Sequence, residues 1–407
     1  MKNRAVRVCF LRSNGYSSIR MRKEAEALAE AGHSVDVLCL RDQPQQALRE
    51  RVHGVNVYRL PMQHQRRGKL YYVYEYLASF ILLSLFLSWL HLRRRYDVIV
   101  ISNMPDLLVF AATLPKLLGA KVVFDLHECM PEIFMVKYGI GPRHPVARLL
   151  IGIEQAALAF ADYALTCTEE MKRIFVARGA RADKFAIFLN TSNEAIFRPL
   201  ELIQPPTPDT FTLITHGSIE DRYGHATAIR AVALLRPHIP GLRFDIFGDG
   251  TARQKMERLA HDLGVQDIVR FHGYVPIDDL VTAINRADIG VVTIEQRPEM
   301  RWVHTTKMFD YLAMRKPVVV TRSSALEDYF ADACLTYFDQ NSPEALAEAV
   351  MTLYRDPELR QDRVRNASAV YATLRWSVQA VEFVALIERI AAWKSSFPMG
   401  RYARSAK

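Results

Sequence analysis

The opening stretch of the chain decides its fold class. Val6–Leu40 reads VRVCFLRSNGYSSIRMRKEAEALAEAGHSVDVLCL. Val6–Leu11 and Val35–Leu40 are short, mostly apolar runs, as is typical of strands that are covered on both faces of a parallel sheet. Ile19–Ala31 carries apolar residues at helical spacing and stops at Gly32, a common helix terminator. A strand, a helix and a strand of these lengths predict a βαβ unit.

The same alternation continues along the rest of the chain, so the predicted fold class is α/β. The other predicted strands of the first half are Val55–Leu60, Asp97–Ser102, Lys121–Leu126, Tyr163–Thr168 and Phe185–Leu189. Those of the second half are Phe211–Thr215, Phe244–Phe247, Val269–His272, Ile289–Ile294, Val318–Thr321 and Leu335–Phe338. The helices predicted between these are Ala226–Leu235, Arg253–Leu263, Asp278–Asn285, Thr306–Met314 and Pro343–Tyr354.

A proline-rich stretch, Asn193–Thr210, separates the two halves, because no helix or central strand tolerates such a run. We therefore expect an N-terminal domain over residues 1–198, a C-terminal domain over 209–375 and a last helix over 376–395. Ligands of open α/β sheets bind beyond the carboxyl ends of the strands. Two such edges that face each other across a cleft would make a site for two substrates.

Composition narrows the function classes. The 407 residues are 50% hydrophobic and 24% charged, which excludes disordered, fibrous and polytopic membrane classes. Lysine and arginine outnumber the acidic residues 53 to 44, and a net charge of +9 suits an anionic partner. Five scattered cysteines without a CxxC argue against a disulfide framework and a structural zinc site. No signal peptide is recognised, so the expected compartment is the cytoplasm.

The segment Leu77–Leu92 is 16 residues without a charge, and Arg93–Arg95 follows at once. Because a membrane span needs about 20 apolar residues, two hypotheses remain for it. It is either a buried helix with solvated ends or a helix that lies on an anionic membrane surface through residues 77–95. Ser84, Ser88 and His91 would form a narrow polar stripe on such a helix.

Two turns after predicted strands of the second half are candidate phosphate contacts. In Gly217–Gly224, Gly217 permits close backbone approach and Arg222 could clamp a phosphate. An ordinary turn with a solvated arginine is the alternative. Gly248–Gly250 leads from a strand into a helix, where backbone N–H groups could face a base, a ribose or a phosphate. It lacks the full GxGxxG dinucleotide fingerprint.

A third candidate is the helix that begins near Thr305 or Thr306, either of which could cap it. The free N–H groups of a helix start favour an anion. Lys307 lies in the first turn, where a cation is unfavourable unless an anion is present, and this favours a pyrophosphate site. Asp310 follows one turn later. An ordinary amphipathic helix is the alternative.

A fourth candidate is the strand end Asp125–Glu128. A histidine in this position, His127, is a candidate for catalysis or sugar binding, and a hydrogen-bonded turn histidine is the alternative. The sequence does not indicate a metal site, because it has no D-x-D, no HExxH and no spaced His/Cys cluster. It also lacks a GxSxG nucleophile elbow.

Together these motifs resemble the retaining glycosyltransferases of family 4, which have the GT-B fold of two Rossmann-like βαβ domains facing across a cleft. The resemblance runs from roughly Val6 to Ile390. The matching residues of the first half are Lys23-Glu24-Ala25, Ala31-Gly32-His33-Ser34-Val35, Asp125-x-His127-Glu128 and Asn190. Those of the second half are Gly217, Arg222-Tyr223-Gly224, Phe247-Gly248-Asp249-Gly250, His272-Gly273-Tyr274-Val275, Ala287-Asp288 and Lys307–Ala313.

The resemblance implies transfer of a hexose from a UDP- or GDP-linked sugar, with retention at the anomeric carbon and without a metal. The acceptor would be a glycan or a polyprenyl-linked glycan of cell-surface polysaccharide synthesis, on the inner face of a membrane. The implied catalytic residues are His127, which would hydrogen-bond the hexose, Glu299, and Asp310, which would contact the donor ribose. The implied donor-binding residues are Gly15, Gly217, Ser218, Arg222, Gly248, Asp249, Gly250, Tyr274, Val275, Thr305, Thr306, Lys307 and Met308.

The chain departs from the family pattern in ways that leave alternatives open. Trp302 stands where the E-x7-E motif has its first glutamate, and Glu299 is near but wrongly spaced. Tyr223 and Ser218 replace a lysine and an arginine that are common in the family. A non-catalytic GT-B-like scaffold with a degenerate donor site is one alternative, and a sugar-nucleotide epimerase is another. Nucleic-acid binding is not expected, because no aromatic-interleaved basic face is visible.

Overall fold

A computed structural model describes residues 4–16, 18–62, 68–201, 209–295, 297, 300, 302–339 and 341–393, with the side chains of 68–73 excluded. The chain forms two compact units. The first unit comprises the residues up to Leu189 and those from Gln379 onward, and the second is Asn190–Val378. The predicted α/β class is confirmed in both units.

The first unit is built on an eight-stranded sheet. Its strands, in the order of the chain, are β1 (Arg7–Leu11), β2 (Ser34–Leu40), β3 (Arg49–Val52), β4 (Val55–Leu60), β5 (Val98–Ser102), β6 (Lys121–Leu126), β7 (Tyr163–Thr166) and β8 (Phe185–Ile187). Their spatial order is β3-β4-β2-β1-β5-β6-β7-β8. Only the edge pair β3 and β4 is antiparallel in this sheet. The continuously buried β1 and β5 lie at the centre, as expected for strands that are covered on both faces.

The helices of the first unit connect these strands. They are α1 (Ile19–Glu30), α2 (Gly68–Arg94), a 3₁₀ segment (Asp106–Ala112), α3 (Thr113–Leu117), α4 (Met130–Tyr138), α5 (Pro145–Phe160) and α6 (Glu169–Ala177). A short 3₁₀ turn, Ala182–Lys184, precedes β8. The strand ends that matter for the site are those of β1, β5 and β6, which are neighbours at the centre of the sheet.

The second unit has a parallel sheet of six strands. The strands are β9 (Phe211–His216), β10 (Leu242–Phe247), β11 (Val269–Gly273), β12 (Ile289–Val292), β13 (Val318–Thr321) and β14 (Thr336–Phe338), in the spatial order β11-β10-β9-β12-β13-β14. The helices are α7 (His225–Leu235), α8 (Arg253–Asp262), α9 (Ile277–Arg286), α10 (Thr306–Ala313), α11 (Ser324–Glu327), α12 (Pro343–Arg355) and α13 (Pro357–Leu374). Asp221–Tyr223 forms a 3₁₀ turn after β9.

The last helix, α14 (Trp376–Ala392), contributes to the core of the first unit. Phe383 is fully buried there. Its ring packs edge-on against that of Phe188, with the two ring centres 5.5 Å apart. The Gln379 amide accepts from the N–H of Leu189 at 2.6 Å and donates to its carbonyl at 3.3 Å. Side-chain burial and a paired backbone therefore hold this distant segment on the first sheet.

Strand β3 and helix α13 are among the elements that the sequence expectations do not contain. Strand β3, with the sequence RERV, is short and charged, so a search for apolar runs does not find it. Helix α13 was also not predicted, because its apolar positions are sparse, although Asp356 caps it by accepting from the N–H of Leu359 at 2.8 Å. Asp356 followed by Pro357 is the sequence signal that would have found this helix.

The boundary between the units also lies elsewhere than expected. Residues 190–198, which the sequence assigned to the N-terminal domain, group with the second unit. The reason is contact with the second unit. The hydroxyl of Ser192 donates to Asp310 at 2.6 Å, and the ring of Phe197 stacks on that of His216. Residues 202–208 of the proline-rich stretch lie outside the described residues.

Candidate functional site

The first turn of α10 holds a buried lysine. Lys307 is 6% exposed, and its ammonium makes no hydrogen bond or ion pair within the described part of the chain. Burial lowers the pKa of Lys307 to about 8, against the opposing charge of Asp310. Thr305 is the N-cap residue, but its buried hydroxyl makes no cap bond and finds no partner among the described residues. A cation that is only partly compensated and the start of a helix thus coincide, as at an anion site.

Neutral histidines and one carboxylate surround this lysine. Burial, assisted by the charge of Lys307, lowers the pKa values of His216 and His225 to about 3, so both rings are uncharged at neutral pH. Asp310 accepts a 2.6 Å hydrogen bond from the Ser192 hydroxyl and lies 3.5 Å from the His216 ring nitrogen. The cation of Lys307 therefore dominates the local charge on this side of α10.

Arg222 and Lys307, which the sequence predicted as a phosphate clamp, lie on the same aromatic ring. The Arg222 guanidinium is 5.1 Å and the Lys307 ammonium 5.0 Å from the centre of the Tyr223 ring. Arg222 is exposed in the turn after β9. Tyr223 thus contacts two cations, and this cation–π role is a reason why a tyrosine fits where the family commonly has a lysine.

The glycines of the predicted donor motif pack two turns against each other. Gly248 has φ +117°, and a Cβ on it would lie 2.1 Å from the Gly217 carbonyl oxygen. A Cβ on Gly250 would lie 2.3 Å from the Ile219 carbonyl oxygen. The N–H of Gly217 donates to the Phe247 carbonyl at 2.9 Å. These glycines are therefore required by backbone contact between the turns, a reason that the sequence hypothesis of ligand approach did not contain.

The other predicted donor residues have varied surroundings. Ser218, Asp249, Thr306 and Val275 are exposed or partly exposed, and the Tyr274 side chain is 81% exposed. The Met308 side chain is fully buried in the core, so only its backbone is left to contact a ligand. Glu299 lies outside the described residues.

In the first unit, the end of β6 carries a buried ionic network. The His127 ring is hydrogen-bonded to Asp125, whose other oxygen lies 3.2 Å from the Arg20 guanidinium. Burial by itself would raise the pKa of Asp125, but Arg20 and His127 outweigh it and lower that pKa. Burial lowers the pKa of His127, against the charge of Asp125. The network thus fixes the orientation of a partly exposed imidazole.

Asn103, at the end of β5, is a site residue that sequence reasoning missed. Its side-chain oxygen accepts from the N–H of His127 at 2.9 Å, and its amide donates to the Glu128 carbonyl at 2.7 Å. Asn103 therefore holds the His127 turn from the neighbouring strand. Its position directly after a buried strand is the signal that could have identified it. Glu24, at 3.0 Å from Arg20, is fully buried, and burial raises its pKa to about 8.

Gly15, predicted to lie near the donor phosphate, packs on an acidic side chain. Its N–H donates to Asp42 at 3.1 Å, and a Cβ would lie 2.0 Å from the Asp42 carboxyl carbon. This glycine is therefore constrained by the loop that follows β2. Among the described residues, no group of three or more His, Cys, Asp or Glu side chains could hold a metal ion.

Two family models match the chain in succession. The "Glycosyl transferase 4-like domain" matches residues 17–191, and "Glycosyl transferases group 1" matches residues 203–370. The chain belongs to the family-4 glycosyltransferases. Both of its units are α/β, and the chain has the GT-B fold of that family. The fold that the sequence motifs implied is therefore confirmed.

Curated relatives of this chain include glycosyltransferases. The lipopolysaccharide core biosynthesis glycosyltransferase LpsE of Rhizobium meliloti is 30% identical over 37% of this chain and 42% of its own length. A D-inositol 3-phosphate glycosyltransferase of Thermomonospora curvata is 24% identical over 63% of each chain. The family-4 chain thus spans about half the length of the curated relatives that it matches.

Two structural neighbours cover nearly the whole fold. Sucrose-phosphate synthase from Thermosynechococcus elongatus has a TM-score of 0.75 at 18% identity, covering 95% of this chain and 99% of its own. HepE from Anabaena, solved in complex with UDP-glucose, has a TM-score of 0.68 at 16% identity, with the same coverage. At these identities the likeness shows the fold alone.

Proposed function

We propose that this family-4 protein transfers a hexose from a nucleotide diphosphate sugar, UDP- or GDP-linked, to a glycan or lipid-linked acceptor, with retention at the anomeric carbon. The observation that carries the proposal is Lys307. A buried ammonium with no hydrogen bond or ion pair among the described residues, in the first turn of α10, is a prepared site for a polyanion. The complex of HepE with UDP-glucose supports a nucleotide sugar as that polyanion.

The chemistry follows from where charge develops. Departure of a nucleoside diphosphate builds negative charge on its phosphates, and prepositioned cations and helix N–H groups stabilise it without reorganisation. Lys307 and Arg222, both beside the ring of Tyr223, supply such cations, and the start of α10 supplies N–H groups. Because these groups already provide positive charge, we propose that leaving-group departure does not need a metal ion.

The neutral His127 has a separate role in the proposal. Its ring is oriented by Asp125 and its backbone by Asn103, so the imidazole can hydrogen-bond a hydroxyl of the hexose in a fixed direction. Asp310 stays a predicted ribose contact, and its bond to Ser192 keeps the carboxylate in place. We propose that the sugar is replaced on one face by internal return, by analogy with the family.

The acceptor and location are proposed from surface properties and relatives. A net charge of +9 favours an anionic surface, and LpsE is a lipopolysaccharide core enzyme. We propose a polyprenyl-linked or lipid-linked glycan at the cytoplasmic face of a membrane. Five unpaired cysteines, four of them buried, fit a reducing compartment. The relatives named above are glycosyltransferases, which favours transfer over epimerisation or a scaffold role.

The test is a thermal-shift series with UDP, GDP and ADP in the presence of EDTA. We expect one nucleoside diphosphate to raise the melting temperature, because a ligand that binds only the folded state stabilises it. Replacing Lys307 by methionine should weaken its binding by about tenfold to a hundredfold, the range of a charged hydrogen bond. The donor sugar is then identified by testing UDP- and GDP-hexoses in turn. The configuration at the anomeric carbon of the product is followed by NMR.

Lys316 provides the matched control. It is another lysine of the second unit whose pKa is lowered by burial, but its ammonium donates to the Asn285 carbonyl at 2.6 Å. Lys316→Met should keep nucleotide affinity even if its melting temperature falls. The proposal fails if no nucleotide shifts the wild type, or if both lysine variants lose affinity equally.

A further inference from the structure

The outer face of α2 is a continuous apolar stripe. Seven large apolar side chains on it are 42% to 64% exposed: Tyr74, Leu77, Ile81, Leu82, Leu85, Trp89 and Leu92. Most are three or four residues apart, so they line one side of the helix. At 1.5 Å per residue the stripe is about 27 Å long. Exposed apolar surface on this scale marks an interaction site.

The opposite face of α2 is committed to the core of the first unit. Leu83, Leu87 and Leu90 are at most 3% exposed, and the helix packs on the 3₁₀ segment, α3 and β2. Tyr74–Arg94 and Pro357–Ala392 are long and apolar enough to cross a membrane by length and composition. For α2, crossing would strip the buried leucines from the core. The packing therefore favours a helix that lies on a surface.

Polar groups of α2 do not interrupt the stripe. The hydroxyl of Ser84 donates to the Phe80 carbonyl at 2.6 Å, and that of Ser88 donates to the Ser84 carbonyl at 2.7 Å. His91 is buried, 2% exposed. The polar stripe expected from the sequence is thus satisfied within the helix or buried, and its hydroxyls need no water.

The elements that pack on α2 also carry exposed apolar side chains. The 3₁₀ segment and α3 both pack on α2. These two elements and the residue after α3 carry four further leucines that are 41% to 79% exposed: Leu107, Leu114, Leu117 and Leu118. We call the α2 stripe and these four leucines the docking face. Exposed apolar side chains on elements that pack against each other exceed what an isolated surface leucine signifies.

The charge around the docking face selects its partner. The Arg93 guanidinium lies 4.2 Å over the Trp89 ring, and Arg95 is exposed just beyond the helix. Between the buried Glu75 and Asp97 the sequence has no acidic residue. A second copy of this face would offer those arginines no carboxylate, whereas anionic headgroups would meet arginine, tryptophan and leucine at their preferred depths.

We propose that the docking face binds an anionic lipid bilayer, with α2 parallel to the surface, its leucines in the acyl boundary and its arginines at the headgroups. The inference deepens the proposed function, since it names the surface that would bring the enzyme to a lipid-linked acceptor. Lipid binding by this face does not require the transferase activity, so the two proposals are tested separately.

The experiment is co-sedimentation of the full chain with vesicles of phosphatidylcholine, alone or mixed with phosphatidylglycerol. We expect the wild type to bind the mixed vesicles more tightly. Leu85→Asp on α2 and Leu117→Asp on α3 should each reduce that binding by about tenfold or more, because each places a charge in the docking face, which would enter the acyl boundary. Arg93→Gln should reduce binding to the mixed vesicles by about fivefold and leave binding to pure phosphatidylcholine unchanged.

Matched controls come from the same chain. Val381 on α14 is 70% exposed and apolar, and Arg258 on α8 is an exposed arginine. Val381→Asp and Arg258→Gln should bind like the wild type. Equal losses in variants and controls, equal binding to both kinds of vesicle, or retained binding in Leu117→Asp would overturn the docking face as proposed. A lipid-free dimer that Leu85→Asp dissociates would instead assign the face to a second copy.

Nucleotide binding separates the two proposals. Leu85→Asp should keep the wild-type thermal shift with the preferred nucleoside diphosphate, which also shows that the variant is folded. Lys307→Met should keep wild-type vesicle binding. Loss of vesicle binding by Lys307→Met would contradict the assignment of lipid binding to α2 and α3.

Discussion

At the scale of single residues, the buried ammonium of Lys307 destabilises the second unit when no ligand is bound. Lys307 is buried with neutral histidines and a carboxylate that is shared with Ser192, so its charge is only partly compensated. Such an arrangement lowers the pKa of the lysine because the charged form loses its hydration. An incoming diphosphate would supply the missing negative charge. The residue is therefore poised for a ligand at a cost to the empty protein.

The pKa of Lys307 predicts the pH dependence of nucleotide binding. The free site loses its proton near pH 8, whereas the bound diphosphate favours the charged form and raises the pKa. Affinity should thus be constant near pH 7 and fall, by at most about tenfold per pH unit, as the pH rises through 8. Isothermal titration calorimetry from pH 6.5 to 9.5 measures this.

Two variants give this pH prediction its controls. Lys307→Met should show weak binding without a step near pH 8, and Lys316→Met should keep the wild-type profile. A wild-type profile that stays flat to the ordinary lysine pKa of 10.5 would contradict the assignment of this titration to Lys307.

At the scale of elements, the turns after β9 and β10 are held together by backbone hydrogen bonds. The N–H of Ile219 donates to the Asp249 carbonyl at 2.9 Å, and the N–H of Ala252 donates to the Ile219 carbonyl at 3.0 Å. Backbone contact at this distance leaves no room for side chains at Gly248 and Gly250. The pair of turns forms the ends of two adjacent strands, where open α/β sheets bind ligands.

A glycine comparison tests this contact. Gly248→Ala would put a methyl group 2.1 Å from the Gly217 carbonyl oxygen, while Gly264→Ala has a positive φ of +67° but open space around it. Gly264→Ala should cost about 1 kcal/mol of unfolding free energy, the price of a left-handed backbone. Gly248→Ala should cost at least about 2 kcal/mol more. Urea denaturation measures both, and equal losses would mean that the turns can separate cheaply.

At the scale of the whole molecule, the first unit is completed by a segment from the far end of the chain. Phe383, Leu386, Ile387 and Ile390 of α14 are buried in the same core as β1 and α1. Folding of this unit therefore needs a contact between residues that are about as far apart as the chain allows. Bringing such distant segments together lowers the entropy of the chain, and only a large apolar contact offsets this loss.

Truncation of one α14 ring tests that contribution. Phe383→Ala should lower the unfolding free energy of the first unit by about 3–5 kcal/mol, because it leaves a cavity beside Phe188. Val381, 70% exposed on the same helix, is the control, and Val381→Ala should change stability by about 0.5 kcal/mol or less. Chemical denaturation measures both. A Phe383→Ala cost as small as that of Val381→Ala would show that α14 does not stabilise this core.

The sequence by itself determined the α/β class, the family and nearly all strands, because buried parallel strands read as apolar runs whatever surrounds them. It also singled out Lys307 and His127 as candidate site residues, since a cation in a first helical turn and an ionisable strand end are local signals. Charged β3 and sparse α13 escaped it, because a strand or helix that is only partly buried carries a weak apolar pattern.

Only the tertiary structure decided which side chains meet. Asn103 holding His127, Ser192 bound to Asp310, and two cations on Tyr223 join residues that are distant in sequence. The same holds for α2, whose apolar run left a buried helix and a membrane-surface helix equally open. Packing buried one side of that helix and left the other side exposed, and burial depends on neighbours that no local pattern specifies.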